Sequence, residues 1–318
     1  MTAPSDGSRR SRFHLSHLSF WIVGLAMALF AAIAAYKPIN DPDLYWHLKV
    51  GEWILEHHQV PRVDVFSYTF LGRPFPLVDW AAEILMAALH ARLGPGGLFF
   101  MTAVLAGAAM LLAALRMRRT QAPSLLALAT IILFLTYAAS SFRFTPRPQT
   151  FMFVFLGVLL LLFEQAAKRR TLRPLWGVPP LVLIWANVHG SSFLAVAFLA
   201  AFGVGYLVEL RGQWRTAIGP HGRALLLLTL ATLVAGFIVP NPLGRLRVGV
   251  GVFTLPYSAR VISEWQPPGL SAWLGPAGML LALAGLAFVL GRRRLAMHEL
   301  TWPRLRAGLA FAVCASCQ

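Results

Sequence analysis

The sequence predicts an all-α fold: a polytopic transmembrane helix bundle of about eight spans plus a partial ninth, with amphipathic surface helices in the first outer loop. Three observations lead to this prediction. Of the 318 residues, 58% are hydrophobic and only 13% are charged, whereas soluble domains carry roughly 25% charged residues. The apolar residues form blocks of about 14 to 21, most of them long enough to cross a hydrocarbon core of roughly 30 Å. The basic residues lie in short clusters between these blocks.

The apolar blocks define the expected spans in order. Backbone groups in lipid must bond to one another, so each block is expected to be a helix. The spans are expected at Leu18–Tyr36, Gly97–Leu115, Ser124–Ser140, Thr150–Ala167, Leu175–Val188, Ser191–Leu210, Ala224–Val239 and Ser271–Gly291. A ninth apolar run begins near Ala307 and reaches the end of the chain.

The placement of lysine and arginine predicts the orientation. Most of the 28 basic residues lie in one alternate set of short loops, which identifies that set as cytoplasmic. We therefore expect a multi-pass protein of the cell membrane, of the bacterial inner-membrane kind. Residues 1–17 form a cytoplasmic tail and residues 18–318 a transmembrane domain, with outer loops 37–96 and 240–270. The net charge of +16 is explained by these clusters, so we expect the bilayer and not nucleic acid as a partner.

The first outer loop contains seven of the twelve acidic residues, which suggests a functional site on that side. Asp41 suits an N-cap and Pro42 the first helical position, and leucines follow at helical spacing. This pattern predicts a helix from about 42 to 58, and a second amphipathic helix is expected over 77–93. Two such helices would lie along the membrane surface and cover the bundle.

Asp41, Asp43 and His47 are the first candidate site. In a helix that begins at Pro42, Asp43 and His47 are four residues apart and share a face. A carboxylate and an imidazole at that spacing can bind a divalent cation, magnesium or manganese, and Asp41 could act as a base or second ligand. The alternative interpretation is a plain helix start, where acids are favoured by the helix dipole.

Basic and polar residues of the later outer segments are further candidates. Arg143 and Arg147 lie in a short outer loop against the charge bias, and arginine binds phosphate bidentately; interfacial contact with lipid headgroups is the alternative. His189, between the fifth and sixth spans, could line a polar cavity, or it could belong to a tight turn capped by Gly190 and Ser191. Arg245 lies in the outer loop 240–270, where it could contact a substrate or simply be solvated.

Several of these stretches resemble one family. The resemblance is to bacterial membrane glycosyltransferases of the GT-C type, relatives of the protein mannosyltransferase and lipid A sugar-transferase group. It covers about 37–245 in pieces, and it is carried by Asp41–Leu48, Gly51, Pro61, Asp64, Phe66–Thr69, Gly72, Trp80, Arg147–Gln149, Asn187–Gly190 and Asn241–Gly244.

The resemblance implies a function. Such enzymes take a sugar from a polyprenyl-phosphate donor on the outer face, using an acidic residue of the first outer loop, often with a divalent cation. Asp41 or Asp43 matches that acid, and Arg143, Arg147, His189 and Arg245 would face the donor phosphate. Members usually run longer, so we expect a truncated chain of impaired activity. The alternatives are a transporter, which should show broken helices and charges at mid-membrane, and a non-catalytic assembly protein, which would tolerate loss of Asp41 and Asp43.

Overall fold

The computed structural model describes residues 6–37, 41–120, 126–209 and 219–254, together with Gly278. The described residues form α-helices joined by short 3-10 turns and loops, and they include no strand. The helices are α1 Asp6–Ala34, α2 Pro42–His57, α3 Trp80–Leu93, α4 Pro95–Thr120, α5 Leu126–Ser140, α6 Phe151–Arg169, α7 Val178–Val188, α8 Phe193–Glu209, α9 Pro220–Phe237 and α10 Pro242–Thr254.

The helices fall where the apolar blocks predicted them, and the prediction of an all-helical fold is confirmed for the described residues. Four segments are long and apolar enough to cross a membrane: Pro95–Met117, Leu126–Arg143, Pro148–Arg169 and Pro220–Phe237. Ser19–Ala34 and Gly190–Tyr206 are apolar but shorter. The predicted spans at Ser271–Gly291 and from Ala307 lie outside the described residues, so the total of about eight spans stays a prediction.

Small residues bring α1 and α4 close together. A Cβ added to Gly24 would lie 2.9 Å from the Ala114 Cβ, and one added to Gly107 would lie 3.2 Å from the carbonyl oxygen of Ala28. Gly24 faces Ala114, and Ala28, later in α1, faces Gly107, earlier in α4. The two helices are therefore antiparallel. Such close backbone approach is how apolar helices associate where lipid removes the hydrophobic driving force.

A second core joins α6, α7, α8 and α9. Its fully buried side chains include Leu159, Trp185, Leu199 and Leu228. Trp185 stacks on Phe155 with ring centroids 5.5 Å apart, and its indole N–H is bonded to a serine hydroxyl, as a buried tryptophan requires. This core holds the end of α7, and with it the turn that follows, in a fixed position.

The polar segments that were assigned to the outer side meet at one end of the bundle. Lys37 donates a hydrogen bond to the carbonyl oxygen of Ser141 at 2.7 Å, and the Trp80 indole donates to Asn187 at 2.9 Å. Helices α2 and α3 pack on the first turns of α4 through the buried side chains Leu44, Leu48, Met86, Leu98 and Met101. The opposite end contains an ion pair between Arg116 and Glu164 at 2.6 Å. The segments predicted to be outer therefore lie together at one end of the bundle.

The outer segment 240–270 differs from the expected loop. Its first part is helix α10, which begins at Pro242. The Asn241 side chain accepts the backbone N–H of Gly244 at 2.9 Å, so Asn241 and Pro242 together begin a helix in the same way as Asp41 and Pro42. Residues 255–270 lie outside the described residues.

Candidate functional site

The start of α2 is joined to a distant loop by an ion-pair cluster of Asp41, Asp43 and Arg147, the Arg147 cluster. Asp41 is the N-cap of α2, and its carboxylate accepts the backbone N–H of Asp43 at 3.1 Å. Both of its oxygens also accept hydrogen bonds from the Arg147 guanidinium. Arg147 Nη2 lies 3.0 Å from the Asp43 carboxylate. One guanidinium therefore serves two carboxylates, and with Asp41 it forms the bidentate pair that its planar fork favours.

Local sequence explains how Arg147 reaches the helix start. It lies between Pro146 and Pro148, and the residue before a proline is restricted to extended backbone; Arg147 has φ −130° and ψ 153°. The Thr150 hydroxyl donates to the carbonyl oxygen of Thr145 at 2.6 Å, which closes the loop below it. The proline-rich stretch thus projects the guanidinium away from α6 and towards α2.

The two carboxylates of the cluster differ in environment. The Asp41 side chain is 9% exposed and the Asp43 side chain 62% exposed. Partial burial raises the pKa of Asp41, but the hydrogen bond and charge of Arg147 outweigh it and hold that pKa below its usual value. Asp41 is therefore an ionised structural partner of Arg147, whereas Asp43 offers an accessible carboxylate.

His47 lies one turn below Asp43 but faces another partner. Its Nδ1 is 2.9 Å from the Glu83 carboxylate of α3. Asp43 and His47 thus share a face of α2, as predicted, while one contacts Arg147 and the other contacts Glu83. Among the described residues no group of three or more His, Cys, Asp or Glu side chains is arranged to hold a metal ion. The divalent cation predicted at Asp43 and His47 stays a prediction.

Asp79, which is half-buried, and Glu83, which is fully buried, form an acidic pair one turn apart at the start of α3. Burial and the neighbouring Glu83 charge raise the pKa of Asp79 to about 7, against the opposing effects of His47, Arg245 and the Gly190 N–H. Burial likewise raises the pKa of Glu83, although its bond to His47 opposes the shift. Each has one buried oxygen without a hydrogen-bond partner in the part of the chain that the structure describes, Asp79 Oδ1 and Glu83 Oε2.

Residues 187–192, the connector between α7 and α8, lie against this acidic pair. Helix α7 ends at Val188, and Gly190–Ser192 form a 3-10 turn before α8. Arg245 of α10 donates to the carbonyl oxygen of Ala186, to those of His189 and Gly190 at 3.2 Å, and to the Ser192 hydroxyl at 2.9 Å. The guanidinium therefore satisfies the carbonyls that the end of α7 leaves unpaired.

The structure brings together most of the residues that the sequence singled out. Asp41, Asp43 and Arg147 are in contact, and His189 and Arg245 are in contact, with the charge of His47 acting on both groups. Arg143 instead lies over the ring of Phe142, at 5.0 Å from its centroid. Direct contacts of Arg143, His189 and Arg245 with a donor phosphate stay predictions.

Sequence reasoning counted Asp79 and Glu83 among the acids of the first loop and assigned them no role. Their spacing of four residues on a predicted amphipathic helix places both side chains on one face. That spacing was the available signal, but the sequence could not show that the shared face is turned inwards, towards His47.

An apolar cleft of about 470 Å³ opens between the end of α1 and the start of α4. Its wall includes Tyr36 and Phe99, whose rings lie 4.6 Å apart. The remaining lining is aliphatic or aromatic: Ala32, Ile33, Gly96, Phe100 and Ala103. The cleft therefore suits an apolar chain at the bundle end that carries the Arg147 cluster.

No family model, curated protein or solved structure matches this chain. The site combines an accessible carboxylate, a bidentate guanidinium and an acidic pair at one end of an apolar bundle. Such a set can accept a proton and stabilise a developing negative charge on an oxygen.

Proposed function

We propose that the chain is a membrane glycosyltransferase that moves a sugar from a polyprenyl-phosphate donor to an acceptor on the non-cytoplasmic face. The observation that carries this proposal is the Arg147 cluster, where one guanidinium bridges a buried and an exposed carboxylate. Transfer from a lipid phosphate needs a base for the acceptor and a cation for the leaving phosphate, and this cluster contains both. The nearby apolar cleft supports a donor with an apolar chain.

Asp43 is the base in this proposal, because its carboxylate is the more exposed of the two. The acceptor hydroxyl gives its proton to Asp43, and the acceptor oxygen forms a bond to the anomeric carbon of the sugar. The bond between that carbon and the phosphate oxygen breaks, and its electron pair goes to the polyprenyl phosphate. Attack from the side opposite the leaving group inverts the anomeric centre.

Arg147 stabilises the phosphate as it leaves. The Arg147 guanidinium is close to the Asp43 carboxylate. Arg147 can therefore stabilise the leaving phosphate next to the base without a large movement of its side chain. Asp41 is then a positioning residue: it caps α2 and holds the guanidinium beside Asp43. The two carboxylates thus have different roles, set by their different exposure.

A divalent cation fits this arrangement poorly. Arg147 already pairs with both Asp41 and Asp43, and His47 is bonded to Glu83. A cation at Asp43 and His47 would compete with a charge that the protein itself supplies. The proposed steps therefore do not pass through a metal, and chelation provides a direct test of that choice.

The test is sugar transfer in membranes that contain the chain, using a panel of radiolabelled polyprenyl-phosphate hexoses and pentoses. Asp43→Asn keeps the side-chain shape but cannot accept a proton, so transfer should fall on the order of a hundredfold or more. Glu52→Gln, an exposed change on the same helix, is the matched control and should leave transfer unchanged. Chelation with EDTA should also leave it unchanged.

Two results would contradict the proposal. Wild-type transfer in Asp43→Asn would remove Asp43 as the base, and transfer with no donor of the panel would favour the assembly-protein or transporter alternatives. Loss of transfer on chelation, restored by magnesium or manganese, would instead return the cation to the site. Expression and folding are monitored in each case, so that a missing protein is not mistaken for a missing base.

A further inference from the structure

His189 is held in one orientation by bonds that also determine its tautomer. The backbone N–H of Ser191, which can only donate, points at His189 Nδ1 at 3.2 Å. The Trp185 indole N–H donates to the Ser191 hydroxyl oxygen at 3.0 Å. That hydroxyl can then direct its own hydrogen at His189 Nδ1, which is 2.7 Å away. Because Nδ1 accepts, the hydrogen of the neutral imidazole is on Nε2.

The surroundings keep this imidazole uncharged. Burial and the charges of Arg245 and His47 lower the pKa of His189 to about 4. Arg245 stays next to it because four acceptors of the connector and of α7 hold its guanidinium. Of the neighbouring acids, Asp79 accepts from the Gly190 N–H and Glu83 faces His47. Around neutral pH His189 is therefore an uncharged imidazole whose Nδ1 lone pair is already engaged.

The other ring nitrogen remains available. No hydrogen bond to Nε2 is formed within residues 6–37, 41–120, 126–209 and 219–254, and Nε2 is not among the buried polar atoms that lack a partner. The ring is only partly buried, so Nε2–H is open to a ligand. Its nearest charged neighbour, Arg245, is positive, and the connector leads into the N-terminus of α8, which also favours a negative ligand.

We infer that His189 binds an anionic phosphate oxygen as a neutral hydrogen-bond donor through Nε2–H, with Ser191, Trp185 and Arg245 as its positioning residues. This inference rests on the proposed function for the source of the phosphate, the polyprenyl phosphate that the transfer releases. It excludes a role for His189 as general base or metal ligand, because the lone pair of the neutral ring is already used at Nδ1.

The tautomer is measured by NMR on the full chain in lipid nanodiscs with ¹⁵N-labelled histidine. The His189 signals are identified by their loss in His189→Asn. At pH 7 and at pH 5.5 we expect a protonated Nε2 and an unprotonated Nδ1. A protonated Nδ1, or an imidazolium at pH 5.5, would overturn the inference. Ser191→Ala should loosen the tautomer preference, whereas the distant control Ser67→Ala should not.

Ligand binding is measured in the same samples with a short-chain polyprenyl monophosphate and, separately, with inorganic phosphate. A shift of the Nε2–H signal with the lipid phosphate alone supports a lipid-linked ligand, and a shift with both supports the shared phosphate chemistry. No shift with either would overturn the binding role. A shift without any sugar transfer would overturn the proposed function and leave the phosphate site standing.

Two substitutions of His189 test whether Nε2 or Nδ1 contacts the phosphate. The amide nitrogen of glutamine reaches the position of Nε2, and that of asparagine the position of Nδ1. His189→Gln should therefore keep lipid-phosphate affinity within about threefold, and His189→Asn should weaken it roughly tenfold, the effect of one hydrogen bond to a charged group. Equal loss in both variants, with normal folding, would contradict binding through Nε2–H.

Discussion

At the scale of single residues, the site depends on which charged groups are paired with each other. Arg147 pairs with both Asp41 and Asp43, and its planar fork makes the bidentate contact to Asp41. Asp79 shows the opposite situation. Desolvation destabilises its charged form more than His47, Arg245 and the Gly190 N–H stabilise it. The two residues predict different consequences of a conservative substitution.

Arg147→Lys keeps the positive charge but loses the planar fork. Lysine cannot make the bidentate contact to Asp41, so we expect transfer to fall roughly ten- to hundredfold while the unfolding temperature changes little. The measurement is sugar transfer at subsaturating donor, beside thermal unfolding of the same sample. Arg92→Lys, an exposed exchange on α3, is the control. Unchanged transfer with both Lys and Ala at position 147 would favour contact with lipid headgroups as its role.

Asp79→Asn should stabilise the protein, and more so at high pH. The folded state holds the Asp79 proton up to a pKa of about 7, whereas the unfolded state releases it near 3.8. Stability therefore falls as pH rises between those values. Asparagine does not titrate, so the variant does not lose stability in this way, and its side chain still accepts the Gly190 N–H. The unfolding temperature of the variant should therefore exceed that of the wild type by an amount that grows from pH 5 to pH 8. Glu52→Gln should show no such trend, and a gain for Asp79→Asn that is constant with pH would contradict the assigned pKa.

At the scale of elements, the site depends on the close approach of α2 to α3. A Cβ added to Gly51 would lie 2.1 Å from the carbonyl oxygen of Glu83 and 2.8 Å from the Ala87 Cβ. The backbone can therefore approach only because Gly51 has no side chain. The same approach brings His47 to Glu83, so helix packing and the polar network have one geometric cause.

Gly51→Ala should separate the two helices. Overpacking of this kind costs about 1–3 kcal/mol, and we expect a lower unfolding temperature together with reduced transfer, because Asp43 moves with α2. Gly203→Ala is the matched control, since the nearest atom to its added Cβ, Leu225 Cδ2, lies at an ordinary 3.7 Å. If the Gly51 variant were as stable and active as the Gly203 variant, the tight contact would not position the site.

At the scale of the whole molecule, the polar segments meet at one end of the helix bundle, and we expect that end to lie on one side of a bilayer. The Arg147 cluster, the connector and α10 are all at that end, and the Arg116–Glu164 pair is at the other. Four segments are long and apolar enough to cross a membrane. The charge bias predicts that the site lies on the non-cytoplasmic side.

Reporter fusions test that orientation. A reporter enzyme that works only outside the cytoplasm, fused after Gly72, should be active, and the same enzyme fused after Arg119 should be silent, because the two positions lie on opposite sides of α4. Activity is normalised to the amount of fusion protein. The reverse pattern would place the Arg147 cluster in the cytoplasm and would remove the proposed access to an outer-face donor.

The sequence by itself determined the helical class, the positions of the described helices other than α10, and the start of α2. Apolar blocks, proline at the first helical position and a capping aspartate act locally, so their effect can be read from neighbouring residues. The same local signals at Asn241 and Pro242 were present but were not used, and α10 was missed for that reason. The sequence also identified the candidate residues of the outer segments, because charged side chains there depart from the overall charge bias.

Only the tertiary structure decided which of these residues act together. Arg147 meets Asp41 and Asp43, and Arg245 meets the connector, across more than fifty residues of chain in each case. Such contacts depend on how helices pack, and no local pattern specifies them. The same holds for the burial of Asp79 and Glu83. Their pKa values are raised because α3 turns its acidic face inwards, and the free energy of desolvation depends on the surrounding atoms and not on the order of residues.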